Sequence, residues 1–421
     1  MKNLKKILSY AMMLIMVIFL FLGVNFKKVL ADEEVEFETN NGTISYEIDN
    51  NEVIITHYSG EDTNLEIPSE IDGKSVTSIE DYAFEGCSSL TTIIMPNSIV
   101  SIGESSFEGC SSLIGITISN SVISIGDSAF SACGSLTSIM IPNSVVNIGE
   151  EVFWYCSSLK NINVEKDNKY FSSEDGILFN KDKSELLCYP CGKKEESYTI
   201  PNSVMNIGDY SFWECSNLRS IIIPNSVTSI GDYSFFTCSS LTSITIPSSV
   251  TDIGSSVFAN CIELKSIIIP DSVINIKSDV FSRCTSLTSI TIPDSITSIE
   301  EKAFEGCYNL KNIKIPNSVI NIEESAFLGC DNLIIYGYKD SYAETYANEE
   351  FIQFRDINNQ TLNIENLKVN DDKSPQKVET TKTSNSNITI IVIILIGISI
   401  IILLWILLIT RKWLSKPVLW V

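Results

Sequence analysis

The sequence predicts a solenoid, a stack of short coils with a parallel β-sheet along one side and short 3₁₀ or helical turns along the other. Three observations predict this fold class. A 23-residue phrase recurs, so that the stretch Ile223–Thr245 begins again at Ile246. The apolar residues of each copy follow neither a helical period nor a sustained coiled-coil period. One unit of this size cannot bury its own apolar face, whereas a stack of units can.

Ten cysteines mark the successive coils. They are 23 residues apart within each of two runs and 59 apart across one gap, so one coil carries 36 additional residues. Three residues before each cysteine is a Phe, three after is a Leu, and eight before is an Ile. The cysteines are Cys87, Cys110, Cys133, Cys156, Cys215, Cys238, Cys261, Cys284, Cys307 and Cys330.

Each coil divides into a strand and a turn. In the phrase Leu-x-x-Ile-x-Ile-Pro, two branched side chains share one face of a short strand, which the proline ends. The spacing of three between Phe84, Cys87 and Leu90 predicts a helical or 3₁₀ turn with one side facing inward. An acidic residue such as Asp127 follows the glycine before this turn. We expect it to cap free backbone N–H groups rather than to bind a metal.

This repeat resembles the BspA-like class of leucine-rich repeat over about residues 66–338. The resemblance is carried by Ile-Pro-Asn-Ser-Val-Thr-Ser-Ile-Gly, followed by Ser-Phe and then Cys-Ser-Ser-Leu. It implies a curved right-handed solenoid of the kind found on secreted and cell-surface proteins, used for adhesion and protein binding rather than catalysis. Four departures are expected only to loosen single turns. Ser119 replaces a proline, and Lys277, Glu300 and Glu323 replace glycines.

Twelve cysteines on an exported chain would first suggest disulfides. Ten of them, however, occupy the same place in each coil, so their side chains should lie in a column about 4.8 Å apart. A disulfide needs Cβ atoms about 3.8 Å apart and turned toward each other. We therefore predict ten buried free thiols that pack as small hydrophobes. Cys188 and Cys191 have redox or zinc spacing, but no second pair or histidine accompanies them, which favours a structural role.

The remaining segments flank or interrupt the stack. Residues 1–31 are basic and then apolar, which predicts a cleaved signal peptide, with an uncleaved anchor as the alternative. Alternating residues predict an N-terminal β-hairpin cap at 32–65 and an inserted hairpin at 165–198 within a solenoid at 66–337. The other predicted segments are a C-terminal cap at 338–357, a flexible stalk at 358–387, a transmembrane helix at 388–410 and a cytoplasmic tail at 411–421.

Charge and composition narrow the range of possible functions. The chain has 29 Lys and Arg against 52 Asp and Glu, and eight of the basic residues lie in the two apolar end segments. The middle therefore carries 21 − 52, or about −31, charges, which argues against a nucleic-acid partner. An acidic surface keeps a long solenoid soluble, and the alternative is attraction of basic partners or Ca²⁺. The single histidine, His57, and the lack of a phosphate-binding motif argue against an enzyme, and no cofactor is expected.

The best candidate for a binding site is the strand position between the two inward Ile residues. Thr and Ile are common in strands, so a generic sheet face is the plain alternative. Exposed Ile and Met in a column nevertheless make an apolar stripe that soluble monomers usually avoid. We predict that this position docks an extracellular protein or glycan, such as one on a host or neighbouring cell. The residues are Ile94, Thr117, Met140, Ile222, Thr245, Ile268 and Thr291.

Two other functions remain open at this point. The array could be a structural spacer of the envelope that associates with copies of itself. It could also be an inactive receptor-like sensor, although a tail of 11 residues leaves little room for signalling. In each case the predicted end segments would place the array outside a cell membrane, on a protein that spans the membrane once.

Overall fold

The computed structural model describes residues 35–359, which form a stack of coils. Each regular coil contains two short strands and a series of tight turns. Strands of successive coils pair in parallel at an offset of 23 residues, as where Ile221 lies opposite Ile244. The core lies inside the stack as two clusters, and within each cluster the inward side chains of one coil pack on those of the next.

The first strand of each coil belongs to what we call the primary ladder. The predicted Leu-x-x-Ile-x-Ile phrase forms these strands, which pair as one three-stranded, one two-stranded and one eight-stranded sheet. In chain order the strands are Asn64–Glu66, Thr92–Ile94, Gly115–Thr117, Ser138–Ile141, Asn161–Val164, Ser197–Thr199, Ser220–Ile222, Ser243–Thr245, Ser266–Ile268, Ser289–Thr291, Asn312–Lys314, Ile334–Gly337 and Gln353–Asp356.

A second parallel ladder, which the sequence analysis did not predict, runs through the other part of each coil. We call it the secondary ladder. Most of its strands have only two residues, the second of which is the Ile eight residues before the cysteine. They are Lys74–Ile79, Ser101–Ile102, Ser124–Ile125, Asn147–Ile148, Asn206–Ile207, Ser229–Ile230, Asp252–Ile253, Asn275–Ile276, Ser298–Ile299 and Asn321–Ile322.

The predicted 3₁₀ or helical turns are absent from the regular coils, and that part of the fold-class prediction was wrong. The backbone N–H groups of Tyr233, Phe235 and Thr237 donate to carbonyls of the following coil at 2.8–3.0 Å. The residues between them, Ser234 and Phe236, instead donate to carbonyls three positions earlier in their own coil. Tyr233 and Thr237 also have positive φ angles of 54° and 56°. Since alternate N–H groups leave the coil, a continuous helix cannot form.

The predicted transmembrane helix has no counterpart among the described residues. Between residues 35 and 359 the structure has one α-helix, Tyr342–Glu349, and one 3₁₀ turn, Ile357–Asn359. No helix in this range is long and apolar enough to cross a bilayer. The segment at 388–410 lies outside the described residues, as do the predicted signal peptide, nearly all of the stalk and the tail. For residues 35–359, the fold-class prediction is therefore corrected to a β-solenoid with almost no helix.

Antiparallel strands cover the N-terminal end of the described stack. Val35–Glu38, Gly42–Asp49 and Glu52–Gly60 form a meander, and the third of these pairs in parallel with Lys74–Ile79. The strand Glu70–Ile71 pairs antiparallel with the same partner. The meander thus continues the secondary ladder and shields the first core residues from water.

The C-terminal end is covered by the helix Tyr342–Glu349. The Ser341 hydroxyl accepts a hydrogen bond from the Glu344 N–H and so caps the helix, as its position predicts. The buried Tyr346 ring lies edge-on against Phe327, with ring centroids 5.9 Å apart. The last side chains of the core are therefore also shielded.

Residues 171–188 interrupt the stack with three strands, Phe171–Glu174, Ile177–Asn180 and Glu185–Cys188. They pair antiparallel in order, and the third then pairs in parallel with Asn206–Ile207. The insert therefore re-enters the secondary ladder. The buried core nevertheless divides into two clusters at this point, one on each side of the insert.

Aromatic rings form the centre of both clusters. The Phe residues of neighbouring coils stack with ring centroids 5.0–6.2 Å apart. Tyr58 stacks on Phe84 at the start of the first cluster, and Tyr189 of the insert stacks on Phe212 at the start of the second. Each half of the array thus begins with a tyrosine that takes the place of the missing Phe.

All twelve cysteines are free, and nine of the ten in the coil column are buried while Cys87 is half-buried. The prediction of free, packed thiols is therefore confirmed, with Cys87 as the exception to burial. The thiols also have a hydrogen-bonding role that was not predicted. The Cys238 Sγ donates to the Phe212 carbonyl of the preceding coil at 3.2 Å, and most coils repeat this bond.

This burial predicts the reactivity of the thiols. Burial raises the pKa of Cys133 to about 12 and the pKa of Cys330 to about 11. A raised thiol pKa means that the thiol stays protonated at pH 8, and the thiol is not the nucleophile. We expect the buried thiols of the folded chain to react slowly with a thiol reagent at pH 8, with the half-buried Cys87 as the exception, because a hydrogen bond with Cys110 lowers its pKa. The chain in denaturant without reductant should show all twelve thiols. Recovery of markedly fewer would reveal disulfides.

The acidic residues at the turns cap N–H groups, as predicted, but the N–H belongs to the next coil. Asp209 Oδ1 accepts from the backbone N–H of Asp232 at 2.7 Å, and Asp232 Oδ1 accepts from Ser255 in the same way. The first bond runs beside Gly231 and the second beside Gly254, and at both glycines the two backbones are close enough that only glycine fits without displacement. The caps therefore join coils rather than start helices.

Candidate binding surface

In each regular coil, the primary-ladder residue between the two inward Ile points outward, as Ile222 does between the buried Ile221 and Ile223. Ile222 is 62% exposed and Ile268 is 70% exposed. Parallel pairing places Thr245 directly between them. Since neighbouring strands are about 4.8 Å apart, the two isoleucines lie about 10 Å apart. We call this series of outward residues the Ile/Thr column.

All seven residues predicted for the binding site lie in the Ile/Thr column and are exposed. The structure does not join them in one sheet, however. Ile94 and Thr117 pair in the three-stranded sheet, and Met140 lies in the two-stranded sheet. Ile222, Thr245, Ile268 and Thr291 pair consecutively in the eight-stranded sheet. The longest continuous part of the column is therefore in the C-terminal half, where eight strands extend for about 34 Å.

Hydroxyl groups flank the apolar side chains of this part of the column. Ser220, Ser243, Ser266 and Ser289 lie two positions earlier in their strands, on the same face. At the C-terminal end the column becomes basic, with an exposed Lys314 and then Arg355, whose guanidinium lies 6.0 Å from the centroid of the Tyr336 ring. The surface therefore combines apolar, hydroxyl and positive groups.

A second exposed apolar column lies beside the secondary ladder, and the sequence analysis missed it. We call it the flank column. Its members directly precede the secondary-ladder strands, and their N–H groups donate to the preceding coil, as Ile320 does to the Thr297 carbonyl at 2.9 Å. The repeated Val-x-Asn/Ser-Ile phrase could have predicted it, had that phrase been interpreted as a strand. The most exposed members are Val100, Ile123, Met205, Ile274 and Ile320.

The described residues do not assemble a metal centre. Within residues 35–359, no group of three or more His, Cys, Asp or Glu side chains could hold a metal ion. Cys188 and Cys191 are both half-buried, and Cys191 Sγ donates to the Cys156 carbonyl at 3.3 Å. Burial raises the pKa of Cys191 to about 11, opposite to the lowered pKa of a redox-active thiol. His57 is an exposed residue of the N-terminal meander.

Comparison with known proteins identifies the same repeat family that the sequence motif resembles. The family model described as BspA type leucine rich repeat region matches in six copies, over residues 56–177, 188–285 and 251–376. A leucine-rich repeat protein from Eubacterium ventriosum is similar at 25% identity and a TM-score of 0.52, covering 69% of this chain and 93% of its own. The pneumococcal vaccine antigen PcpA is similar in fold at 22% identity and a TM-score of 0.54, covering 76% of this chain and 98% of its own. No curated protein matches the sequence.

Proposed function

Because the chain belongs to the BspA-type leucine-rich repeat family, we propose that it is a cell-surface protein that binds another protein through the Ile/Thr column. The observation that carries this proposal is the exposure of Ile222 and Ile268 on one rigid, continuous sheet. A binding role also fits the absence of a metal centre among residues 35–359.

The energetics favour a protein partner. Full burial of an Ile side chain stabilises a complex by about 1.5–3 kcal/mol. Two such side chains about 10 Å apart, surrounded by small hydroxyls, resemble the apolar centre and polar rim of a protein interface. The backbone that carries them is fixed by the ladder, so little conformational entropy is lost on binding. A glycan would use hydroxyl and aromatic groups more than branched aliphatic ones.

We expect an aspartate at both Ile222 and Ile268 to weaken partner binding at least about tenfold, because each change removes buried apolar area and desolvates a charge. The measurement uses the full chain on its producing cells, with a photo-crosslinking residue at Thr245. The unchanged column should yield a discrete adduct with a second protein, and Ile222→Asp with Ile268→Asp should abolish it.

The matched control places aspartates at Ile274 and Ile320 of the flank column, where exposure is similar. This control should leave the adduct unchanged. Equal loss with both pairs would move the binding site away from the Ile/Thr column. An adduct formed only between copies of this chain would instead support a self-associating spacer.

A further inference from the structure

The insert leaves a cleft of about 310 Å³ in the stack. It lies between the turns that precede Cys156 and Cys215, where the core divides into its two clusters. The cleft is lined by apolar side chains such as Leu178 and Leu187, and by carboxylates and indole rings. The irregular insert thus creates a concave site in the array.

Backbone hydrogen-bond donors are left open in one wall of this cleft. In most regular coils, three N–H groups of the turn donate to the next coil, as those of Tyr233, Phe235 and Thr237 do. The corresponding N–H groups of Glu151, Phe153 and Tyr155 have no acceptor among residues 35–359.

The direction of these donors follows from their backbone. Glu151 and Tyr155 keep the positive φ angles of the regular turns, at 59° and 53°. Their N–H groups therefore keep the same direction, toward the place where the next coil would lie. A row of open donors favours a ligand with carbonyl acceptors, and a peptide backbone supplies these.

Two indole rings hold the walls of the cleft together. Trp154 and Trp213 stack with ring centroids 4.3 Å apart, and Trp213 stacks on Phe236 with its other face at 4.1 Å. The faces of Trp213 are thus occupied and cannot serve as a platform for a sugar. The Nε1 atoms of both indoles are buried and have no acceptor among the described residues.

The charged side chains that line the cleft are all negative. They are Glu150, Glu151, Glu185 and Asp209, and the lining contains no Lys, Arg or His. Burial raises the pKa of Glu185, and repulsion from Asp209 raises it further. Burial likewise raises the pKa of Glu151, despite hydrogen bonds from Tyr210 and Ser128. A bound cation would relieve this repulsion, and the carboxylates do not converge as a metal site would.

We propose that this cleft binds a basic side chain, arginine or lysine, presented by a peptide segment of a partner protein. The cationic group pairs with the carboxylates of Glu185 and Asp209, and its apolar stem lies against the leucines. The adjoining peptide carbonyls accept hydrogen bonds from the open N–H groups of Glu151 and Phe153. This site is separate from the Ile/Thr column and does not depend on it.

The test is calorimetric titration of the full chain with N-acetyl-arginine N′-methylamide. The matched probe is the citrulline analogue, which has nearly the same shape and the same two amide carbonyls of the peptide backbone, but an uncharged ureido group in place of the guanidinium. We expect the arginine probe to bind at least about tenfold more tightly than the citrulline probe, because the uncharged citrulline cannot form a charge-assisted hydrogen bond with the cleft carboxylates. Glu185→Gln should remove most of that difference, whereas Glu263→Gln, an exposed residue of another coil, should leave it unchanged.

Other outcomes overturn the proposal. Equal binding of the two probes would show an apolar cleft without charge selectivity, and no binding of the arginine probe would reject a basic ligand. Binding of a neutral disaccharide such as cellobiose instead of arginine would identify a sugar site. If Glu185→Gln lowers the melting temperature, Glu150→Gln provides the second variant, since Glu150 is exposed and lines the same cleft.

Discussion

Phe235→Ala is expected to lower the free energy of unfolding by about 3–5 kcal/mol. The Phe235 ring is fully buried and stacks on Phe212 at 5.0 Å and on Phe258 at 5.6 Å. Its removal creates a cavity that the surrounding ladders cannot close, because both are fixed by hydrogen bonds to the adjacent coils. The loss should be measured by chemical denaturation followed by circular dichroism.

The control for this prediction is Phe351→Ala. Phe351 is 97% exposed, so its removal should change the free energy of unfolding by less than about 0.5 kcal/mol. Because stability in repeat arrays is carried by neighbouring units, the Phe235 variant should first unfold the C-terminal half. A loss as small as that of the control would contradict a close-packed ring column.

Gly231→Ala should also destabilise the array, by about 1–3 kcal/mol or more. A Cβ added at Gly231 would lie 2.6 Å from the backbone N of Asp209 in the preceding coil. To make room, the two coils must separate, which strains the Asp209 carboxylate cap on Asp232 and the bond from the Gly231 N–H to the Ile207 carbonyl at 2.8 Å.

A second glycine provides the matched control. An added Cβ at Gly115 would meet no atom within 4 Å, and its φ is not positive. Gly115→Ala should therefore leave the melting temperature unchanged or raise it slightly, because alanine reduces the freedom of the unfolded chain. A similar loss at both positions would show that glycine content, rather than the close approach of coils, sets the stability.

The regularity of the sequence predicts the repeat, the core and one ladder, because burial demands the same side chain in the same place of every coil. It does not reveal the turns, since the spacing of three from Phe235 to Cys238 suits both a helix and a series of separate turns. The left-handed residues that decide between them, Tyr233 and Thr237, are not glycines. Their conformation is imposed by hydrogen bonds to the next coil, which no local pattern records.

The candidate binding surface was likewise predicted from the sequence only in part. Alternation along a strand suffices to predict that Ile222 and Ile268 point outward, and the structure confirms their exposure. The flank column was missed because strands of two residues, such as Asn321–Ile322, are too short to show alternation. The cleft beside Glu185 arises from how the insert displaces one whole coil from the next, so it could not be inferred from residues 165–198 alone.

The hydrogen bonds of the turns also make the stability of each coil depend on the coil that is synthesised after it. In the regular coils, alternate N–H groups of the turn reach forward to carbonyls that the ribosome has not yet produced, so the newest coil presents unpaired donors. A buried N–H without a partner is costlier than an unpaired carbonyl. Each coil therefore becomes fully stable only when its successor emerges, and the growing end remains the loosest part of the nascent chain. The helix at Tyr342–Glu349 covers the last coil, because its Tyr346 ring packs on Phe327 and its hydroxyl donates to the Glu324 carbonyl.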